Sequence, residues 1–314
     1  MPEPTISQIH VDSALTDFSF SLFQKPETYV ASSVFPVQNV AQRSNKYFTY
    51  TTNDLLRSDA TKRSPASESA VRTYKLSTDS YLCERYSIAV DVAEEETANA
   101  DPALDPEEDA ARVALQDIRI KMDTEWSAVA FTTGIWANES SASWQSSTGA
   151  SPIVDIQTGI LTMIQNTGYR PNTLVLGAET WFDLWGSTDL LSRLPDNVPQ
   201  IITEGFIRDL FGFEKVYVLN GISYTGDEGT TGSPGFIAED HALLMYVDPG
   251  AGLREPTAGK TFVWSGLTGG GGPIRTKRIE QPLKSSLRIE TDVAFDFKIV
   301  STDLGYLIRY TRSS

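Results

Sequence analysis

Few residues in this chain are of a type and spacing that could do chemistry. The segment Pro256-Thr257-Ala258-Gly259-Lys260-Thr261 carries the Gly-Lys-Thr ending of a phosphate-binding loop, in which backbone amides and a lysine cradle phosphates at a helix N-terminus. Two features count against it. Arg254 holds the place of the loop's first glycine, and the residues that follow read as a strand, not a helix. The glycine run 269–272 lacks G-x-G-x-x-G spacing and a following helical pattern, so it reads as a flexible loop. Glu94, Glu95 and Glu96 form an acidic turn, but no histidine or spaced aspartate accompanies them as a metal-ligand set would require. The two histidines, His10 and His241, do not form a ligand pair by spacing. No G-x-S-x-G, H-E-x-x-H or C-x-x-C pattern is present. Asn138-Glu139-Ser140 matches a glycosylation sequon, which has no meaning in a chain that is not secreted. The expectation is therefore no catalytic residue, no cofactor-binding residue and no metal ligand, and a protein that is not an enzyme.

Composition narrows the class further. A length of 314 residues exceeds a usual single core and implies two or more sub-domains. Hydrophobic content of 40% with 10% aromatics is enough to fold. The net charge of −15 argues against gripping nucleic acid, which needs excess Lys and Arg, yet suits a surface that faces DNA without adhering. A single cysteine, Cys83, excludes an intrachain disulfide framework. No basic-then-apolar leader and no run of about 18 apolar residues is visible. A protein soluble and intracellular at synthesis, with no membrane partner, is expected.

The elements that would have to organise such a chain begin with one long helix over 105–134. Asp105 is a natural N-cap, Pro106 suits the first helical position, and Glu107, Glu108 and Asp109 complement the helix dipole. Gly134 is placed as the stop. About 28 residues give a rod of roughly 42 Å. Ala111, Leu115, Ile118, Met122, Trp126 and Val129 make one apolar stripe, with Arg112, Asp117, Arg119, Lys121 and Asp123 mostly off it. Before the helix, residues 1–35 scatter apolar groups (Ile6, Ile9, Leu15, Phe18, Phe20, Leu22, Phe23) between prolines. Such an arm needs a surface to cover it, on its own body or on a neighbour. Residues 46–51 and 71–76 read as the two strands of a hairpin with a polar, charged tip over 53–69, and 81–92 as a further strand. A two-stranded hairpin is marginal alone and needs a partner surface. After the long helix, 152–259 alternates helix and strand: helix 155–167 stopped by Gly168, strand 172–176, helix 178–185, helix 202–210, strands 215–219 and 242–247. Beyond 260 strands dominate. In 287–300, Leu287, Ile289, Thr291, Val293, Phe295, Phe297 and Ile299 share one face, while Arg288, Glu290, Asp292, Asp296 and Lys298 share the other.

The order of these parts resembles the major capsid protein of tailed bacteriophages with the HK97-type fold. The resemblance covers nearly the whole chain. It rests on Val34-Phe35-Pro36-Val37 at the end of the arm, Tyr47-Phe48-Thr49-Tyr50 entering the hairpin, and Tyr81, Glu84, Arg85, Tyr86, Pro102, Asp105 and Pro106 before the helix. Gly168-Tyr169-Arg170-Pro171-Asn172-Thr173-Leu174-Val175-Leu176-Gly177 is its most specific stretch, followed by Phe297-Lys298-Ile299-Val300 and Gly305-Tyr306-Leu307-Ile308. The resemblance implies an α+β, HK97-like fold: an N-arm over 1–36, an extended β-hairpin (the E-loop) over 37–85, and a peripheral domain over 86–151. That peripheral domain contains a spine helix at about 106–133. An α/β axial domain over 152–259 and returning strands with a closing segment over 260–314 complete it. It further implies self-assembly through pentamers and hexamers into an icosahedral shell around double-stranded DNA, in the virion capsid and, during assembly, the host cytoplasm. DNA is enclosed without sequence-specific binding. The chain itself is the main partner, with separate scaffolding, portal and decoration proteins as further ones. Some relatives begin with a cleaved scaffolding segment; this chain begins at Met1 without one, so scaffolding is expected from a separate protein. Others cross-link a loop lysine to a neighbour's asparagine; nothing singles out Lys46, Lys62 or Lys75, and no cross-link is expected.

Contact between copies is expected at Phe18, Phe20 and Phe23 in the arm, at Tyr47 and Tyr50 where the hairpin begins, and at Arg57, Asp59, Lys62 and Arg63 at its tip. Two other functions stand beside this reading: an encapsulin-type compartment shell of the same fold, and a hydrolase or ligand-binding protein using 152–259.

Overall fold

The computed structural model describes residues 28–49, 58, 60–71, 77–99, 105–145, 151–193, 202–224, 226, 232–238, 240–248, 250, 255–268 and 274–310. The elements run α1 (Ala31–Val34), β1 (Val37–Val40), β2 (Ser44–Thr49), β3 (Ser77–Leu82), β4 (Glu84–Ala93), α2 (Glu94–Asn99), α3 (Pro106–Ala130), β5 (Asn138–Ala142), α4 (Pro152–Thr167), β6 (Thr173–Gly177) and α5 (Ala178–Trp185). They continue through α6 (Thr188–Leu191), α7 (Glu204–Phe211), β7 (Lys215–Leu219), β8 (Ile222–Tyr224), β9 (Pro234–Phe236), β10 (His241–Met245), β11 (Gly259–Trp264), α8 (Ser265–Thr268), β12 (Ile274–Gln281), β13 (Ser286–Ile299) and β14 (Gly305–Tyr310).

The long helix starts where its sequence says it should. The Asp105 side chain accepts hydrogen bonds from the Glu107 and Glu108 amides, closing the first turn. The helix then runs 25 residues to Ala130, about 37 Å. It ends before the expected glycine: Gly134, at φ +83°, belongs to the turn beyond. The buried stripe is Ala110, Ala114, Ile118, Met122, Trp126 and Ala130. Ile118, Met122 and Trp126 are as expected; Ala111, Leu115 and Val129 are only half-buried. Ala110, Ala114 and Ala130 on this four-residue repeat let the ends of α3 lie close on the sheets, with Leu115 and Val129 on its flanks. Asp123, expected off the stripe, is buried as well.

Two five-stranded sheets flank this helix. In the first, β13 pairs along one edge with β12 and then β11, which carries β1 in parallel, and along its other edge with β4. The second has the order β5-β14-β10-β6-β7, mixing parallel and antiparallel pairs. Alternation along β6 shows how the second sheet is covered on both faces. Leu174 and Leu176 join a core with Ile156 and Met163 of α4 and Leu184 of α5. Val175 points the other way, into a core with Ile118, Met122 and Trp126 of α3 and Val293, Phe295 and Phe297 of β13. Trp126 thus sits where one helix seals two sheets together. The α4 helix ends at Gly168 in the left-handed region (φ +77°), as its sequence requires.

The described part of the hairpin's second strand is β3 (77–82), where Tyr81 and Cys83 meet the buried surface of Phe262, Leu267 and Ala294. Of the expected strand 71–76, Val71 is exposed and outside any strand, and 72–76 lie outside the described residues. Glu94, Glu95 and Glu96 are the first turn of α2, where their charges suit the helix dipole, not a turn. On the charged face of β13, Asp292 is fully buried.

Candidate subunit-contact surfaces

The hairpin is built to project. Its strands pair with each other from Ser44↔Leu82 to Thr49↔Ser77 and belong to no larger sheet among the described residues. Its base is clamped to the body. Tyr81 stacks on Phe262 (4.5 Å between centroids, 12°), and Tyr47 packs on the same ring at 5.3 Å. The Leu82 amide donates to Asp296 Oδ2 at 2.9 Å, and the Tyr47 hydroxyl donates to Asp79 Oδ2 at 3.1 Å. Burial, then the adjacent Asp79 charge, raises the Tyr47 phenol pKa. Away from this base every described residue of 58–71 is exposed. Among the described residues the bonds within it are local, such as those of Arg63 to the Ser67 carbonyl and the Ser69 hydroxyl.

The junction of the N-terminal segment is also tightly made. Phe35 is 1% exposed, lies 5.7 Å from the Trp126 ring and occupies the space above Gly259, where a Cβ would stand 2.6 Å from it. The Thr261 amide donates to the Pro36 carbonyl (3.0 Å) and the Tyr217 hydroxyl to the Ser33 carbonyl (3.0 Å).

A third feature is the charged ladder across β12, β13 and β4. Asp292 receives Arg85 at 2.7 Å, Arg275 at 2.8 Å and Lys277 at 2.9 Å, and Glu290 takes second contacts from Arg85 and Lys277. Burial alone would raise the Asp292 pKa; the hydrogen bonds from Arg275, Arg85 and Lys277 overcome it and hold the carboxyl well below the usual range. Arg288 clasps Asp91 at 2.6 Å further along. Beside the other edge of β4 runs a groove of about 280 Å³ against α3, lined by residues including Tyr86, Ile88, Ile120 and Lys121.

Of the contact residues expected from sequence, Lys62 and Arg63 are exposed on the projecting segment, as a contact role needs. Tyr47 is 7% exposed and committed to its own chain. Phe18, Phe20, Phe23, Tyr50, Arg57 and Asp59 lie outside the described residues. Sequence reasoning missed a set of exposed apolar side chains on the helices of the second sheet: Val154 and Leu161 on α4 (56% each), and Phe182 and Trp185 on α5 (60% and 45%). A signal existed, because Val154 and Leu161 are seven apart on the face opposite Ile156 and Met163. Leu283, in the turn between β12 and β13, is wholly exposed.

Among the described residues no group of three His, Cys, Asp or Glu side chains is placed to hold a metal ion. Lys260 lies inside β11 opposite Lys298, buried, and not at a helix N-terminus. The Tyr310 amide donates to His241 Nδ1 at 3.2 Å, a bond that ties β14 to β10. No helix of the described residues is long and apolar enough to cross a membrane.

Comparison with known proteins agrees with this picture. No family model matches the chain. A major capsid protein of Burkholderia phage BcepMu is 28% identical over 160 residues, 51% of this chain and 50% of that protein. The match thus spans about half the length of that curated relative. A phage-related protein from Bordetella bronchiseptica RB50 superposes with a TM-score of 0.71 at 20% identity, covering 95% of this chain and 97% of that one. The capsid of Myoviridae phage XM1 superposes with a TM-score of 0.59 at 8% identity over 99% of both chains. With this architecture shared end to end and a capsid protein as its curated sequence relative, the chain has the HK97-type α+β fold of phage capsid proteins.

Proposed function

We propose that this chain is a major capsid protein whose copies assemble through pentamers and hexamers into an icosahedral shell around double-stranded phage DNA. The observation that carries the reading is the hairpin: a clamped base at Tyr47, Tyr81 and Phe262, and beyond it a stretch whose described residues, 58 and 60–71, are all exposed. Residues ordered only by local bonds find burial on a neighbouring copy, and a repeated head-to-tail contact of that kind closes into rings. In this reading the first sheet with α3 is the peripheral domain, and the second sheet with α4, α5 and α7 is the axial domain. Lys62 and Arg63 contact a neighbour from the hairpin tip, joined there by Arg57 and Asp59, while the arm aromatics Phe18, Phe20 and Phe23 pack on another copy. The protein works by contacts and not by catalysis, in the host cytoplasm during assembly and in the virion afterwards. The net charge of −15 suits an inner surface that repels packaged DNA enough to leave it mobile. The compartment-shell alternative is not favoured, since the curated relative is a phage capsid protein.

Deleting 54–68 tests this. The shortened chain is expected to fold, with the circular dichroism of the full chain, but to sediment as small species with no closed particles. Normal shells from the deletion would refute the role of the hairpin.

A further inference from the structure

Asp123 is a buried acid that none of the above accounts for. It sits on α3 one turn before Trp126 and is 2% exposed. Its Oδ1 accepts the Ala31 amide of α1 at 3.0 Å, and the Val30 amide also hydrogen-bonds the carboxyl. Its Oδ2 is buried with no hydrogen-bond partner. The surrounding groups offer little to a negative charge. From the N-terminal side the titratable neighbour is Tyr29, whose phenol pKa is raised by burial and by the Asp123 charge itself. From α3 itself, Gln116 and Arg119 lie beside the Tyr29 phenol. From the opposite side come Gly221, where a Cβ would stand 3.2 Å from Oδ2, and Ile237; neither titrates. Among the described residues no cation pairs with Asp123. An unpaired ionised carboxylate in such a site is costly, and a proton on the orphaned Oδ2 removes the cost while leaving Oδ1 free to accept the amides.

We propose that Asp123 is a proton-held latch for the N-terminal segment: the neutral carboxyl keeps residues 29–35 packed against α3, and rising pH releases them. Burial, opposed only in part by the Ala31 and Val30 amides, pushes the carboxyl pKa up to about 7 in the packed form. Release exposes it to water, where an aspartate titrates near about 3.9. Below about pH 4 the proton stays on in both forms, and the latch is at its tightest. Between about pH 4 and 7 the released form gives its proton to bulk water while the packed form keeps it, so opening becomes about tenfold easier per pH unit. Above about pH 7 both forms are ionised and the effect levels off. Opening would also withdraw Phe35 from Trp126 and Gly259. The latch is a property of one subunit and stands apart from the shell-forming reading.

The test is hydrogen exchange of the unassembled full chain from pH 5 to 8, corrected for intrinsic exchange rates, with α4 as the internal reference. Protection of residues 29–35 is expected to fall on the order of fiftyfold between pH 5 and 7 and to flatten above it, while α4 stays level. The variant Asp123→Asn, which cannot ionise, is expected to give a flat profile in 29–35. A flat wild-type profile, or an unchanged slope in Asp123→Asn, would overturn the proposal. Should that variant fail to fold, carbon-13 NMR titration of the wild-type Asp123 carboxyl decides: a midpoint near 7 supports the latch, and one below 5 ends it.

Discussion

Replacing Gly305 by alanine is a sharp test of the packing that joins the two sheets. Gly305 opens β14 with φ −133° and ψ 151°, an extended backbone that any residue adopts. On backbone grounds alone the change to alanine would stabilise by about 0.5 to 1 kcal/mol. Packing argues the reverse. A Cβ at 305 would stand 2.1 Å from Cε3 and 2.2 Å from Cζ3 of Trp136, where carbon atoms rest at about 3.5 to 4 Å. The indole must therefore retreat by about 1.5 Å. It has no room, being 4% exposed and in the main core, and its Nε1 donates to the Ala130 carbonyl at the end of α3 (2.7 Å). Overpacking costs about 1 to 3 kcal/mol, and a buried donor pulled from its acceptor costs a similar amount. Set against the small backbone gain, the net is a loss of about 3 kcal/mol. Urea unfolding of Gly305→Ala, followed by tryptophan fluorescence, should show a lower midpoint with an unchanged slope. Adding Trp136→Leu should recover part of the loss, because the two changes share one contact. A single variant within about 0.5 kcal/mol of wild type would refute the argument.

Asp292→Asn should destabilise by about 3 kcal/mol, because it leaves Arg85, Arg275 and Lys277 converging on a buried amide. Since the Asp292 pKa is held below its unfolded value, its contribution is present above about pH 4 and lost as pH falls; acid titration of stability should be shallower in the variant. Asp105→Ala should cost about 1 kcal/mol in thermal unfolding and Asp105→Asn almost nothing, because the cap needs only a side-chain oxygen on the Glu107 and Glu108 amides.

What the sequence made legible followed from local chemistry. The Asp105-Pro106 start of α3, the Gly168 stop of α4, the bounds of α5 (178–185) and β7 (215–219) and the alternation of β13 all depend on neighbours in the chain. What stayed hidden depended on partners far away. The hold of β3 on the body depends on Phe262, some 180 positions on, which lies beneath Tyr81. The burial of Asp292 depends on β4 and β12, which bring Arg85, Arg275 and Lys277 to it. Asp123 looked like one more surface charge on α3 until the 30–31 amides came down on it. Among the residues expected to touch other copies, Lys62 and Arg63 are exposed, whereas Tyr47 is buried by the base of its own hairpin.

The central claim is that copies of this chain complete one another's burial. Electron microscopy of the overexpressed, purified protein tests it most directly. Closed, hollow particles of uniform diameter bearing five-fold and six-fold clusters of subunits are expected. A monodisperse solution of folded monomers, unchanged over a wide range of concentration and salt, would contradict it.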